Sequence, residues 1–457
     1  NYPVIGLPFG MNLWTPQTFN KEGLIYNYAD TKITGFRQTH QLNSEQKDYG
    51  AFALMPMGDT LITNTENRAA DFNHLSEKAY PYHYRVRMYN GITCEIAPTD
   101  RAAIMRFKYP YGGKSYVLLD VLEGASKIEI VPTERKIVGY CTGNNRNVPS
   151  NFAKYFVIKF LREFDDYGTW QNDIISTKQL TGNGNAVGAW GMFDLNPNEV
   201  VTVEVASSFI SIEQAERNLL NELRGKTFET VKQQAQTKWN DELNRLVVEG
   251  GTEEQQQLFY TSIYRMLLVP RIQHEIDPSG NAVHYSFYDG KLYNREMFID
   301  NVFNGAYKPV KVLFDIINPG LYNRVYSNYI AAVGEGKMKS SHISYHNELN
   351  ECYFCDTTNI FQKAYLNTYM GKPWETQKQV SELYSTFDNT PAFKLSERSS
   401  AWYVFSSIGI YPVDSIYILV RPLFDKITIN FPKEKSFSIT TNENTPENFY
   451  VKSILLN

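Results

Sequence analysis

Two short spacings in the middle of the chain carry residues that could do chemistry. Glu348 and Glu351 lie three positions apart, so on a helix their carboxylates share one face and could offer two oxygen ligands to a metal ion. A solvated helix face is the commoner explanation of that spacing. Cys352 and Cys355 form a C-x-x-C motif, but a structural zinc site needs four ligands and no second pair exists. A disulfide, a redox dithiol and two unrelated buried thiols are all compatible with it.

The stretch from Lys394 to Val413 predicts the helix around which the rest of the chain is organised. Gly409 ends the helix and Pro412 cannot continue it, and a strand-like apolar run follows at 416–420. The apolar residues at helical spacing, which give the helix a wide buried face, are Ala401, Trp402, Val404, Phe405 and Ile408.

Composition excludes several classes of function. The chain has 457 residues, of which 42% are hydrophobic and 14% aromatic, so it is long enough for two or three domains with real cores. The net charge is −4 and no Lys/Arg run lines up on one face, which makes nucleic acid and anionic membrane poor candidate partners. The sequence has no apolar run of about 18 residues and therefore predicts no membrane span.

The period of the hydrophobic pattern predicts four regions. Short alternating runs between turn residues indicate an antiparallel β-sandwich in 1–211. Ser211 with Gln214 and Thr252 with Gln255 fit capping boxes that begin helices, which gives a helical linker in 212–251 and a helical domain in 252–412. The text returns to β-type runs in a C-terminal unit, 413–457, with strands predicted at 427–432, 436–440 and 449–457.

Seven phrases of the sequence carry a family resemblance: LPFGMNLWTPQT, ITGFRQTHQ, DYGAFALMP, FNHLSEKAYPYHYRV, TDRAAIMRFKYP, YMGKPWETQ and SAWYVFSSIGIYPV. They resemble glycoside hydrolase family 92, the calcium-dependent, inverting exo-α-mannosidases. The resemblance implies that 1–211 packs on a catalytic (α/α)6 barrel, here reduced because the helical segments are too few for six pairs. Text that lies far apart in the family is joined directly at Met338, so either the barrel is shortened or this chain omits segments.

The resemblance also places the catalytic base, and the residues found there are not acids. An inverting glycosidase needs a carboxylic acid and a carboxylate about 6.5–9.5 Å apart. Counting back from Ser400 puts Lys394 and Leu395 at the expected acidic pair. Glu397 is a displaced candidate, but two residues turn it by about 200° around a helix axis, and a first-turn acid favoured by the helix dipole is the simpler interpretation.

The catalytic acid is missing in the same way. The position that the resemblance assigns to it is Thr358. Asp356 could act as a displaced acid, although Asp before Thr-Thr and an apolar helix is typical of an N-cap. Asp388 is a further candidate for a displaced carboxylate.

The resemblance further implies a sugar-binding wall and a calcium ion. Trp14, Arg37 and His40 could line the pocket, although a hydrogen-bonded structural histidine is equally consistent with His40. Asp300 could contact the sugar, but a loop Asp is usually a turn former.

Calcium, which in the family bridges sugar hydroxyls, would be held here by Glu348 and Glu351.

These observations predict a secreted, periplasmic or cell-surface protein that has kept the fold and lost hydrolysis. It would bind a mannose-containing glycan or take part in an assembly with other protein subunits or copies of itself. The first alternative is an active calcium-dependent α-mannosidase with displaced acids, and the second is a purely structural subunit of a surface filament.

Overall fold

The computed structural model describes residues 3–20, 23–40, 49–122, 124–143, 148–299, 308–337, 363–387, 397–413, 416–445 and 447–456. The chain divides into two compact units. One comprises Tyr2–Trp239 and Arg271–Phe298, and the other Asn240–Pro270 and Ile299–Asn457, with Asn1 assigned to the latter. An antiparallel β-sandwich therefore comes first, followed by a helical region and a few C-terminal strands, which confirms the predicted fold class.

Among the described residues, seventeen strands build the β-sandwich. In chain order they are β1 (Leu13–Thr18), β2 (Lys32–Thr39), β3 (Phe52–Gly58), β4 (Ala70–Asp71), β5 (Lys78–Tyr80), β6 (His83–Arg87), β7 (Thr93–Pro98), β8 (Ala102–Lys108), β9 (Gly113–Val121), β10 (Ser126–Val131), β11 (Lys136–Cys141), β12 (Lys154–Phe160), β13 (Asp166–Gln171), β14 (Ile174–Thr177), β15 (Thr181–Gly184), β16 (Val187–Leu195) and β17 (Val200–Ser208).

The strands form two sheets with one core between them. The eight-stranded sheet has the order β1-β2-β3-β9-β16-β13-β14, with β4 added beside β2. The nine-stranded sheet has the order β15-β10-β11-β12-β17-β8-β7-β6-β5. Alternate residues of both sheets, such as Leu54 and Ile158, are fully buried in a shared apolar cluster, as expected where side chains alternate between the two faces of a strand.

Helix α2 (Ile212–Leu223) covers the outer face of the nine-stranded sheet. Ala215 and Leu219 of this helix pack against Val157 and Ala206 of the strands. The middle strands are therefore apolar on both faces, which explains runs such as AAIM in β8. Ser211 accepts a hydrogen bond from the Gln214 backbone N–H at 3.1 Å, so the predicted N-cap is confirmed.

The other helices of the described residues are a one-turn helix α1 (Thr65–Arg68), α3 (Phe228–Leu243), α4 (Glu253–Leu267), α5 (Lys308–Ile317), α6 (Leu321–Ala332), α7 (Leu366–Tyr369), α8 (Pro373–Leu383) and α9 (Glu397–Ile408). The full capping box predicted at Thr252 is present, since Thr252 and Gln255 each bond the other's backbone N–H. Short 3₁₀ turns occur at His74–Ser76, Pro132–Glu134 and Tyr384–Thr386, and a π turn at Val333–Lys337. No helix in the described ranges is both long and apolar enough to cross a membrane.

A short β segment interrupts the helical region and belongs to the sandwich unit. It contains β19 (Arg271–Ile272), β20 (Glu275–Ile276), β21 (Ala282–Tyr285), β22 (Leu292–Tyr293) and β23 (Phe298–Ile299). Asn151 fixes this segment, because its amide donates to the Gly290 carbonyl at 2.9 Å and its oxygen accepts from the Tyr285 hydroxyl at 3.0 Å. The segment thus forms short antiparallel pairs within the β-rich unit, β20 with β21 and β21 with β22.

In the other unit, strand β18 (Leu246–Glu249) pairs with β26 (Lys426–Phe431), which pairs with β27 (Lys435–Thr440), and β24 (Ile410–Val413) pairs with β25 (Ile416–Leu419). Helix α9 packs against α4.

The strand predicted at 449–457 is wrong over its described part, 449–456. Leu455 and Leu456 are each 84% exposed there, so these residues lack the burial that would stabilise a strand.

Candidate functional site

The residues that the sequence proposed for catalysis and for calcium lie mostly outside the described part of the chain. Glu397 is the first residue of α9, but its side chain is not described. The roles predicted for all of these residues stay predictions. The sites described below lie on the β-sandwich. The predicted site residues that lie outside the described ranges are Asp300, Glu348, Glu351, Cys352, Cys355, Asp356, Thr358, Asp388, Lys394 and Leu395.

Strands β1 and β2 carry Trp14 and Arg37, two of the three described candidates for the sugar-binding wall. Trp14 lies opposite Gln38, and Thr15 lies opposite Arg37. The Trp14 indole is fully buried in the sandwich core, edge-to-face with Phe52 at a centroid distance of 6.2 Å. Neighbouring residues of a strand face opposite sides, so Arg37, which is also buried, points away from this core.

His40, one residue past the end of β2, is the centre of a buried polar cluster. We define the His40 cluster as Asn12, Gln38, His40, Lys154 and Ser207, whose relative exposures are all between 0 and 3%. The Lys154 ammonium lies 2.6 Å from His40 Nε2, and the Gln38 amide nitrogen lies 3.2 Å from the same atom. Asn12 accepts from Lys154 at 3.3 Å and donates to the Ser207 hydroxyl at 2.8 Å.

These distances determine the protonation of the imidazole. A lysine ammonium has three donors and no acceptor, and an amide nitrogen also only donates. Nε2 of His40 faces both groups, so it must accept with its lone pair. A neutral imidazole carries its proton on the other nitrogen, so the Nδ1–H tautomer of His40 is the one that fits these two donors.

An aromatic group lies beside the His40 cluster. The Lys154 ammonium lies 4.6 Å from the centre of the Phe209 ring, which is a favourable cation–π distance. The His40 ring is tilted against Phe209 at 5.3 Å. Tyr49 stacks on Phe287 at 4.7 Å, so the segment at 271–298 contributes to the same aromatic group.

A second buried network joins the His40 cluster to the segment at 271–298. Ser207 supplies its carbonyl to the Asn218 amide at 2.9 Å, and that amide also donates to the Glu275 carboxylate at 2.7 Å. The other Glu275 oxygen accepts from the Phe209 backbone N–H at 2.8 Å. Burial raises the pKa of Glu275, although these hydrogen bonds oppose the effect.

Arg101 completes the connection on the other side. Its guanidinium donates to the His274 carbonyl at 2.7 Å and pairs with Glu222 at 3.1 Å. Its carbonyl accepts from the Asn12 amide at 2.6 Å. Burial, with the neighbouring Asp100 carboxylate second, raises the pKa of Glu222.

Chemically, this arrangement fixes an imidazole rather than offering a mobile proton. His40 is held by two donors at one nitrogen, so it is suited to position a neighbouring group and not to donate a proton from that atom. Calcium needs about six to eight oxygen ligands. The described residues contain no group of three or more His, Cys, Asp or Glu side chains that could hold a metal, so they do not fit calcium, and no step is assigned to it.

Sequence reasoning found His40 but missed Lys154 and Glu275. A signal for Lys154 existed: it is in phase with Phe156, Ile158 and Phe160 along β12, and side chains two apart in a strand share a face. The pattern therefore predicts an inward-pointing lysine. Glu275 gave no such signal, because its partners Phe209 and Asn218 are remote in sequence.

Comparison with known families gives matches along almost the whole chain. Residues 1–208 match the model of the glycosyl hydrolase family 92 N-terminal domain. Residues 214–352 and 339–457 match the model of the glycosyl hydrolase family 92 catalytic domain. The catalytic match is broken in the region where the sequence joins distant family phrases at Met338.

Solved structures show the same fold. A family GH92 inverting mannosidase from Bacteroides thetaiotaomicron VPI-5482 aligns with a TM-score of 0.85 at 24% identity, covering 98% of this chain and 89% of that one. A family GH92 α-mannosidase from Bacteroides thetaiotaomicron aligns with a TM-score of 0.79 at 17% identity, covering 99% and 88%.

A curated relative, an uncharacterized secreted glycosidase of Arthroderma benhamiae, is 25% identical over 306 residues. That alignment covers 59% of this chain and spans only 40% of the relative's length.

Proposed function

The chain belongs to glycosyl hydrolase family 92, and from that membership we propose that it binds mannose-containing glycans without hydrolysing them. It would do so outside the cell, in the periplasm or on the cell surface. The name of the curated relative, a secreted glycosidase, supports this location.

One observation carries the proposal: the residues that the resemblance aligns with the catalytic acids have no carboxyl group. The motif places Lys394 and Leu395 where the base pair is expected, and Thr358 where the acid is expected. General acid–base catalysis needs a group whose pKa can be tuned near the working pH. A threonine hydroxyl and a leucine side chain lack such a group, so binding can persist where bond cleavage does not.

The experiment measures hydrolysis and binding separately. We expect no mannose release from α-mannobiose above the buffer rate, with calcium added or after chelation by EGTA. We expect heat exchange on titration with methyl α-mannopyranoside in a calorimeter. Calcium-dependent release of mannose would refute the loss of hydrolysis, and absence of any heat exchange would refute mannose binding.

The alternative is an active exo-α-mannosidase that uses Asp356 with Glu397 or Asp388. The relatives of known structure that are named as mannosidases support this alternative. In that case Asp356→Asn would abolish turnover, whereas Asp241→Asn, an exposed helix residue, would not.

Calcium and assembly are proposals of the same kind. If Glu348 and Glu351 hold calcium, EGTA should weaken mannoside binding, and Glu348→Gln combined with Glu351→Gln should remove the calcium dependence.

If the protein is instead a filament subunit, light scattering should show large assemblies. A monodisperse monomer would exclude the filament role.

A further inference from the structure

Two exposed tyrosines flank a cavity on the β-sandwich that the proposed function does not use. Tyr89 is 70% exposed and Tyr111 is 73% exposed. Both line a cavity of about 480 Å³, within the range of about 300–1,000 Å³ that is typical of small-molecule sites. Folded proteins usually bury at least part of such large rings, so two of them at one cavity indicate a contact surface.

The two tyrosines are held by turns that contact each other. Tyr89 lies in the turn between β6 and β7, and Tyr111 in the turn between β8 and β9. Gly91 has a φ of +84°, and a Cβ built on it would lie 2.7 Å from Pro110 Cγ. The turns are therefore packed so closely that only glycine fits between them.

Hydrogen bonds make both turns rigid. The Tyr89 backbone N–H donates to the Asp71 carbonyl at 2.8 Å, and the Gly91 N–H donates to the Met88 carbonyl at 2.9 Å. On the other side, the buried Tyr109 hydroxyl donates to the Tyr116 carbonyl at 2.8 Å. A surface that is already ordered loses little entropy when a ligand binds.

The cavity also has an apolar floor and a polar rim. Met55, Met57 and Ile92 are buried beneath it. The Asp71 carboxylate and the Lys114 ammonium line it and are exposed, and neither forms an ion pair with another residue of the described part. Their hydrogen-bonding capacity is available to a ligand.

The mixture of groups selects the class of ligand. Asp59 and Asp71 lie beside Lys114, and the guanidinium of Arg68, which also lines the cavity, is already paired with the Asp120 carboxylate. The cavity therefore offers no excess of positive charge, which disfavours an anionic ligand such as a nucleotide. The polar rim disfavours a purely apolar ligand, whose burial would leave polar groups unsatisfied. A sugar ring has one face of C–H groups for the tyrosines and hydroxyl groups for the rim, so it satisfies both surfaces.

We propose that this cavity is a second carbohydrate-binding site, with Tyr89 and Tyr111 as stacking platforms. It takes one or a few pyranose units of a glycan chain and would keep the protein attached to a polymer. The choice of mannan as the first probe depends on the proposed function, but the site itself does not.

Affinity gel electrophoresis tests the proposal with the full chain. The protein is run in native gels containing yeast mannan, starch or xyloglucan, and the polysaccharide that retards it identifies the sugar. We expect Tyr89→Ala with Tyr111→Ala to weaken retention by at least about tenfold, because exposed aromatic anchors carry much of the affinity at binding sites. Both side chains are exposed, so thermal unfolding should stay unchanged.

Two further variants complete the comparison. Tyr80→Ala is the matched control, since Tyr80 is a 47% exposed tyrosine of the same sheet that stacks on Tyr82 and does not line the cavity. It should be retained like the wild type. Asn67→Ala changes a rim residue whose side chain is exposed, and it should weaken retention even if the double variant fails to fold.

The outcomes separate this inference from the proposed function. Retention of the double variant equal to that of the wild type, or no retardation of the wild type by any of the three polysaccharides, would overturn the second site. Mannose release and titration with methyl α-mannopyranoside are measured on the wild type without polymer. Failure of the proposed function would therefore appear there and not in the gel comparison.

Discussion

The imidazole of His40 receives the Lys154 ammonium and the Gln38 amide at the same nitrogen, at 2.6 and 3.2 Å. Both neighbours only donate, so the ring is fixed as an acceptor at Nε2. Tyr49 and Phe209 lie within 6.2 Å of the ring centre. The ring is therefore held in one orientation inside the buried His40 cluster.

We predict that Nε2 of His40 carries no proton and accepts hydrogen bonds. Nitrogen NMR of the protein labelled at histidine should show an unprotonated Nε2, with the signal assigned by its loss in His40→Gln. Lys154→Met removes one of the donors and should shift the Nε2 signal. An imidazolium or an Nε2–H tautomer in the wild type would contradict the hydrogen-bond assignment.

We predict a specific pH dependence of stability from Glu275. Its pKa is raised by burial, so in the window above the ordinary glutamate pKa the folded state binds more protons than the unfolded state. Stability then falls as pH rises from about 4 through the raised pKa, by about 1.4 kcal/mol for every pH unit that separates the folded-state pKa from the unfolded-state pKa. Urea unfolding at a series of pH values should show this fall in the wild type relative to Glu275→Gln.

Glu213 provides a control of opposite sign. Its own backbone N–H, followed by the Ser211 hydroxyl, lowers its pKa, so its contribution is lost as pH falls. Glu213→Gln should therefore cost stability near neutral pH and less in acid. A difference between wild type and Glu275→Gln that does not change with pH would contradict the raised pKa.

The sequence predicted part of this site, and the reason is physical. His40 was visible because it stands in a phrase typical of the family. The protonation state of His40 could not be predicted, because it depends on Lys154, which lies 114 positions away. Trp14 could be placed on a strand, but only the register Trp14↔Gln38 places it inside the core.

At the scale of elements, helix α9 ends at the glycine that the sequence predicts, although the helix is buried. Residues 400–409 are all buried, and Phe387 stacks on Trp402 at 5.4 Å. Gly409 ends the helix with a φ of +86°, as the sequence predicted. Its N–H donates to the Ser406 carbonyl at 2.9 Å, and its carbonyl accepts from Val420 N–H at 3.0 Å.

We predict that Gly409→Ala destabilises the protein by at least about 2 kcal/mol, from the left-handed backbone and from overlap. The new Cβ would lie 2.6 Å from Pro422 Cγ and 2.9 Å from the Val420 carbonyl oxygen. Gly320→Ala is the control, because its φ is +84° and a Cβ meets nothing within 4 Å; about 1 kcal/mol is expected. Equal losses in calorimetric unfolding would show that the overlap costs nothing.

Element boundaries were predictable where a side chain caps a backbone and less so elsewhere. Thr252 with Gln255 forms both bonds of its capping box. Ser211 caps its helix in one direction only, since its own backbone N–H donates to the Ser208 hydroxyl at 3.3 Å and not to Gln214. The second half of that prediction is therefore wrong, because Ser208 takes the donor and the Gln214 amide is bonded to Asn218 and the Ile276 carbonyl.

At the scale of the whole molecule, the sandwich unit is built from two stretches of sequence. Arg271–Phe298 belongs to it, although it follows helix α4 of the other unit. Glu275 and His274 bond residues of the earlier stretch. The sequence pattern could not assign this segment to the sandwich, because the hydrogen bonds that do so join residues far apart in the chain.

We predict that hydrogen exchange groups this segment with the sandwich. In native-state exchange with increasing urea, peptides from 271–298 should lose protection together with β12 and β17, since cooperative units open together. Peptides from α4 should lose protection together with α9. Opening of 271–298 with α4 instead would show that the sequence neighbours, and not the packed neighbours, form the unit.

The discontinuous unit has a consequence for synthesis on the ribosome. A nascent chain that has emerged only as far as Trp239 still lacks Glu275, whose carboxylate accepts hydrogen bonds from Phe209 and Asn218. It also lacks His274, whose carbonyl accepts from Arg101. Residues 240–270, which belong elsewhere, must leave the exit tunnel before those partners arrive. The β-rich unit therefore cannot complete its fold in strict N-to-C order. Tyr49 lacks its stacking partner until Phe287 has emerged.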